Sequence, residues 1–242
     1  MNQPSIYQRT IIRHQIQSTA LSAERKLWVY LPPGYNELLS YPVVYCQDGL
    51  EFLNFGRIAT HTNKLILEED MEPPIIVGLE VDLKRRSAEY SPDGERYDLY
   101  RRFVTEEALP WVESQFPVRR TPEERILAGD SLGGTVSLHL ALDYPELFRK
   151  VLSLSGAYRY STLDRLEAEE DLSRLDLHMI VGLQETAVST QWGDIDFITL
   201  NRKAKSLLEA KGATLHYKEA DGKHVWGFWQ NHLPDALRYF LG

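Results

Sequence analysis

Hydrophobic residues along the chain recur in two alternating patterns, short unbroken runs and longer amphipathic stretches. The unbroken runs are Tyr41-Pro42-Val43-Val44-Tyr45-Cys46, Ile75-Ile76-Val77-Gly78-Leu79-Glu80-Val81, Arg125-Ile126-Leu127-Ala128, Lys150-Val151-Leu152-Ser153-Leu154, Leu177-His178-Met179-Ile180-Val181-Gly182 and Thr214 to Ala220. Runs of this kind read as strands of a parallel sheet covered on both faces. Between them lie stretches with helical spacing: Ile58 to Glu69, Tyr97 to Phe116, Val136 to Tyr144, Ser161 to Leu175, Phe197 to Lys211 and Trp226 to Leu241. In the second of these, Leu99, Phe103, Leu109, Val112 and Phe116 share a face, and Pro110 is expected to bend it. Ahead of the alternating region, Tyr7 to Thr19 and Lys26 to Leu31 predict two antiparallel edge strands, the second ended by Pro32-Pro33-Gly34. The expected architecture is α/β: a mostly parallel central sheet, helices on both faces, antiparallel N-terminal edge strands.

One junction between the two patterns carries chemistry. Gly129-Asp130-Ser131-Leu132-Gly133 places a serine between two glycines where a strand passes into a helix, and Gly134 extends the small-residue floor. So tight a strand-to-helix turn holds its apical residue in a strained conformation and exposes it at the sheet's edge. The helix N-terminus behind Ser131 and the Leu132 N–H both favour a developing oxyanion. A phosphate loop would need a Lys-Ser/Thr ending or Gly-x-Gly-x-x-Gly, and neither is present.

Composition narrows the picture further. A chain of 242 residues that is 43% hydrophobic can bury one sizeable core, so 1–242 is expected to be a single domain. A net charge of −8 disfavours nucleic acid as a partner, and the clusters Lys84-Arg85-Arg86, Arg101-Arg102 and Arg119-Arg120 read as solvated faces. No apolar run is long enough to span a bilayer, and Met1-Asn2-Gln3-Pro4-Ser5 does not open an export signal, which sets a cytoplasmic expectation. Cys46 is the one cysteine, so no internal disulfide forms; lying in a strand without a nearby cation, it is expected to be structural.

A serine nucleophile needs a base and an acid, which in a sheet of this type follow it in the order acid, then histidine. His224 is the expected base: it sits on the loop after the last strand, behind Gly222, with Trp226 beyond it to exclude water and line the substrate site. His14, His61, His139, His178, His216 and His232 all fall inside predicted strands or helices. The acid belongs on the Leu183–Asp196 loop, where Glu185 comes first and Asp194 and Asp196 are rivals. The second oxyanion donor is expected from the turn at Gln47-Asp48-Gly49-Leu50, at the Leu50 N–H. The loop from Asp82 to Arg96 is a candidate wall of the site.

The stretches Val29-Tyr30-Leu31-Pro32-Pro33-Gly34-Tyr35, Asp48-Gly49, Gly129-Asp130-Ser131-Leu132-Gly133-Gly134 and Gly222-Lys223-His224-Val225-Trp226 with Trp229 run almost end to end. Together they resemble the esterase family of α/β-hydrolases that includes enterochelin esterases, esterase D-like S-formylglutathione hydrolases and mycobacterial mycolyltransferases. The resemblance implies an α/β-hydrolase fold, Ser131 as nucleophile, His224 as base and a carboxylate after the seventh strand. Glu185 matches the glutamate of the enterochelin-type pattern Gly-x-x-Glu, and the mycolyltransferase pattern supports Leu50. The spacing Asp82, Arg86, Glu89 resembles an enterochelin esterase stretch whose arginine lines the pocket, which implies that Arg86 contacts an anionic or catecholate part of the substrate. The longer members of that subgroup carry an extra N-terminal domain, which is not expected in this chain. The expected activity is enterochelin esterase-like hydrolysis of a small-molecule ester through an acyl-enzyme, with no metal or organic cofactor. Transfer to another acceptor, thioester hydrolysis and non-catalytic binding on the same fold are the alternatives.

Overall fold

The computed structural model describes residues 9–242. Tyr7 and Gln8 of the predicted first strand, and the Met1–Ser5 stretch, lie outside them. The chain opens with a hairpin of β1 (Thr10–Ser18) and β2 (Ala23–Leu31), paired antiparallel. It continues through β3 (Val43–Cys46), α1 (Gly49–Asn54), α2 (Ile58–Glu69) and β4 (Ile75–Leu79). Three short helices follow, α3 (Arg86–Tyr90), α4 (Tyr97–Arg102) and α5 (Leu109–Gln115), before β5 (Arg125–Asp130). Next come α6 (Leu132–Asp143), β6 (Lys150–Leu154), α7 (Tyr160–Ala168) and β7 (Asp176–Gly182). The small hairpin β8 (Val188–Thr190) and β9 (Gly193–Ile195) leads to α8 (Phe197–Ala210), β10 (Thr214–Ala220) and α9 (Trp226–Leu241).

Among the described residues eight strands form the main sheet, in the order β1-β2-β4-β3-β5-β6-β7-β10. From β4 to β10 neighbouring strands are parallel, whereas β2 runs antiparallel to β4. This is the mostly parallel α/β sheet the alternating pattern predicts, in the α/β-hydrolase arrangement the resemblance implies. The chain leaves β3 in one direction, towards β4, then crosses back over β3 and proceeds from β5 towards the opposite edge. The order therefore reverses between β3 and β5. Loops leaving their carboxyl ends diverge there, which opens the crevice where such sheets bind ligands.

Both faces of the sheet's central strands β3, β4 and β5 are dry. On β3, Val43 and Tyr45 join one cluster while Val44 and Cys46 join the other, as period-two alternation requires. The first cluster is closed by Tyr100 and Phe103 on the α4 side, Val136 and Leu140 of α6 and Leu208 of α8. The second is closed by Phe52 of α1, Leu65 of α2, and Leu233 and Leu237 of α9. No helix among the described residues is long and apolar enough to cross a membrane.

Several elements depart from the sequence pattern. The single bent helix expected over Tyr97–Phe116 is two helices joined by a wider π-helical turn at Phe103–Ala108, which places Pro110 in the first turn of α5. The backbone stays helical through this junction, and the widened turn stands immediately before Pro110, whose missing N–H cannot enter the regular ladder. The loop expected over Asp82–Arg96 contains α3, and the turn at Gln47–Leu50 runs directly into α1. Helix α7 stops at Ala168, where Glu169 turns extended at φ −70 and ψ 142, well short of Leu175. The Leu183–Asp196 loop carries the β8–β9 hairpin.

Leu127, 0% exposed on the central β5, measures how tightly the first cluster is packed. Leu127→Ala is expected to cost about 2–5 kcal/mol, because the surrounding strands cannot close over the void. The urea unfolding midpoint reads this directly.

Candidate functional site

Ser131 stands alone between β5 and α6 with φ 52 and ψ −119, a conformation that disfavours any residue with a Cβ. Two backbone bonds from the next strand's exit hold it there: its N–H donates to the Leu154 carbonyl at 2.8 Å, and its carbonyl accepts from Ala157 N–H at 3.0 Å. Helix α6 lies so close beneath the turn that a Cβ on Gly129 would fall 2.1 Å from the Gly133 carbonyl carbon. Glycine at 129 is thus a steric requirement of the elbow.

The loops after β6, β7 and β10 converge on one carboxylate. Glu185 is 0% exposed. Its Oε1 accepts from the Gly182 N–H at 2.8 Å and the Ser155 hydroxyl at 2.7 Å, while its Oε2 lies 2.7 Å from His224 Nδ1. Since a carboxylate oxygen accepts, Nδ1 is the donating nitrogen and Nε2 is left available. The imidazole is wedged between Phe197, with ring centroids 4.1 Å apart, and Trp229, edge-to-face at 4.8 Å and 84°. Trp229 also donates its indole N–H to the Ser155 oxygen at 2.9 Å. The loops are stitched by Leu183 N–H to the Ala220 carbonyl at 2.8 Å and Gln184 N–H to the Gly222 carbonyl at 3.0 Å. A Cβ on Gly182 would stand 2.4 Å from the Gly222 oxygen, so only glycine lets these loops meet. The peptide group joining Leu154 to Ser155 links this cluster to the elbow: its carbonyl holds Ser131, and the residue after it holds Glu185.

The rivals considered from sequence are placed elsewhere. Asp196 caps α8, accepting from Thr199 N–H at 3.0 Å, and Asp194 is an exposed residue of β9 opposite Ser189. His139 is buried against the Thr162 hydroxyl at 3.0 Å, and His178 stacks on His216 at 4.7 Å. Cys46 is 0% exposed, and burial pushes its thiol well above its ordinary range. No three His, Cys, Asp or Glu side chains among the described residues are grouped as metal ligands.

Two residues expected to line the substrate site also have partners within the protein. Trp226 packs edge-to-face on Phe52 at 5.0 Å and on Trp229 at 5.4 Å, so its ring belongs to the second core cluster and the indole against His224 is that of Trp229. Arg86, expected to meet an anionic substrate group, already has its anions inside the protein. Its Nε donates to Asp48 Oδ1 at 2.8 Å and its Nη2 to Asp48 Oδ2 at 2.7 Å and to the Asp130 carbonyl at 3.2 Å. Sequence reasoning passed over Ser155 and Phe197 altogether. Ser155, at φ 47, is a second strand-end serine with positive φ, yet no short motif marks it.

The two backbone N–H groups expected to face an oxyanion belong to neighbouring turns. Leu132 opens α6, and Leu50 follows Asp48, itself at φ 53 and ψ 46, into α1. Gln47 N–H donates to the Ala128 carbonyl at 2.8 Å, and a Cβ on Gly133 would lie 3.2 Å from Asp48 Oδ2, so the turns are in contact.

A family model described as Putative esterase matches residues 18–240. The chain is 35% identical over 234 residues to Uncharacterized protein YjcH of Bacillus subtilis (strain 168), across 96% of this chain and 98% of that protein. It is 21% identical over 236 residues to an iron(III) enterobactin esterase of Dickeya dadantii (strain 3937), across 93% of this chain and 53% of that protein. It therefore spans about half the length of that relative. A solved ferulic acid esterase shares the fold with a TM-score of 0.82 at 18% identity, across 97% of this chain and 98% of that one.

Asp130, immediately before Ser131, is buried, and its Oδ1 has no partner among the described residues. Burial, reinforced by the negative charge of Asp48 and opposed by Arg86, pushes its carboxyl from an ordinary 3.8 up to about 7. Between those values the folded protein holds a proton that the unfolded chain has released, so stability falls as pH rises through that window and levels off above it. Subtracting the urea stability profile of Asp130→Asn from that of the native chain should leave this falling component.

Proposed function

The chain belongs to the Putative esterase family, and from that premise we propose that it hydrolyses carboxylic esters through an acyl-enzyme on Ser131. The observation that carries the reading is the 2.7 Å contact between the buried Glu185 carboxylate and His224 Nδ1, which sets the imidazole's tautomer and orientation. Support also comes from the positive φ of Ser131 at the head of α6. Relatives named for an activity include an iron(III) enterobactin esterase and a ferulic acid esterase.

In the proposed reaction His224 Nε2 takes the Ser131 hydroxyl proton as Oγ bonds to the ester carbonyl carbon. The carbonyl oxygen becomes an oxyanion and is met by the Leu132 and Leu50 N–H groups. Collapse breaks the carbon–oxygen bond to the alcohol, which leaves with the proton from His224. Water then gives a proton to His224 and attacks the acyl carbon; Ser131 departs and recovers that proton, and the carboxylic acid is released. Glu185 stabilises the imidazolium in both halves, and burial sharpens that interaction by excluding water.

Ser131→Ala should lower kcat on 4-nitrophenyl acetate by at least about 10⁴-fold with unchanged circular dichroism. Glu185→Gln, which retains size but offers His224 the wrong partner, should lower it by about 10²- to 10⁴-fold. Wild-type turnover by Ser131→Ala would falsify the proposed nucleophile.

A further inference from the structure

One guanidinium grips the residue two positions before each proposed oxyanion donor. Asp48-Gly49-Leu50 and Asp130-Ser131-Leu132 have the same layout, an aspartate, a turn residue and a donor, and Arg86 bonds to both aspartates. Its fork closes on the Asp48 carboxylate through Nε at 2.8 and 3.0 Å and through Nη2 at 2.7 Å. The same Nη2 donates to the Asp130 backbone carbonyl at 3.2 Å, with Asp130 Oδ2 at 3.8 Å. Arg86 comes from α3, after β4, so it reaches past the end of β3 to the turn after β5.

We propose that Arg86 is a positioning residue that sets the separation of the Leu50 and Leu132 N–H groups, and so the shape of the oxyanion site. The inference rests on the acyl-enzyme reading above. The surroundings leave the arginine little freedom: its guanidinium lies 5.2 Å over the Tyr90 ring, and the Tyr90 hydroxyl accepts the Asp48 N–H at 3.1 Å. The Tyr100 hydroxyl donates to the Gln47 side chain next door. Asp48 needs such an anchor because its left-handed backbone, at φ 53, sets the turn that leads into Gly49 and Leu50 at the start of α1. A lysine in place of Arg86 keeps the charge but loses the planar fork that holds two groups at fixed angles.

The test compares Arg86→Lys with the native chain on a neutral ester, 4-nitrophenyl butyrate, and an anionic one, the 4-nitrophenyl monoester of succinate. Rates are normalised to sites labelled by a fluorophosphonate, so unfolded protein does not count. The expected result is a fall in kcat of about 10- to 100-fold on both esters, with KM within about threefold. A trifluoromethyl ketone, whose serine adduct carries an oxyanion, should bind more weakly by the same factor. If the lysine variant does not fold, Asp48→Asn loosens the fork from its other end and should show the same split. Native kcat per labelled site would overturn the proposal, as would a raised KM confined to the anionic ester, which would make Arg86 a substrate contact. Absence of fluorophosphonate labelling in the native chain would instead overturn the acyl-enzyme reading, so the two failures are distinguishable.

Discussion

Burying the Glu185 carboxylate is the constraint around which the carboxyl edge of the sheet is arranged. A charge removed from water is tolerated only when its oxygens are met by donors. Three different loops supply them: Gly182 from its own turn, Ser155 from the exit of β6, and His224 from the exit of β10. Meeting that demand brings the loops together and fixes the imidazole. The same Ser155 hydroxyl accepts from Trp229, so α9 is tied to this centre as well as to the second core cluster.

A second polar centre lies across β5, under the crevice opened by the reversal of strand order. Asp48, Arg86 and Asp130 form a compact ionic group between the turns after β3 and β5, with Arg86 only 21% exposed and Asp48 4%. Two carboxylates share one guanidinium, and burial, with the negative charge of Asp48 added to it, raises the pKa of Asp130 against the pull of Arg86. The candidate nucleophile turn thus has a histidine–carboxylate pair on one side and an arginine fork on the other. The fork holds the carbonyl of the residue before Ser131, and the Leu154 carbonyl, next to the Ser155 that meets Glu185, accepts the N–H of Ser131, whose backbone stands at positive φ. Strain of this kind persists where the surroundings over-determine it.

Much of the architecture was legible along the chain because burial on both sheet faces leaves unbroken apolar runs, while one-sided helix burial leaves periodic ones. The ranges Ile58–Glu69, Thr214–Ala220 and Trp226–Leu241 coincide with α2, β10 and α9. Short elements escaped: α3 and the β8–β9 hairpin span too few residues for a period to show. The π-helical turn directly precedes Pro110, so the sequence marked a distortion in this helix without showing its form.

At the candidate site the division follows the range of the interactions. The glycines around Ser131 act within a few residues, so the elbow could be read from five consecutive letters, and loop position was enough to single out His224. Local order put Glu185 ahead of Asp194 and Asp196 but could not show what holds it, because that depends on Ser155 and Gly182 arriving at the same point from separate strands. Nor could it foresee that Arg86 closes its fork on Asp48, 38 positions away in the chain. Contacts within a turn are encoded where they occur. Pairings between loops exist only once the sheet has set its strand order, and they decided which indole touches His224 and what Arg86 holds.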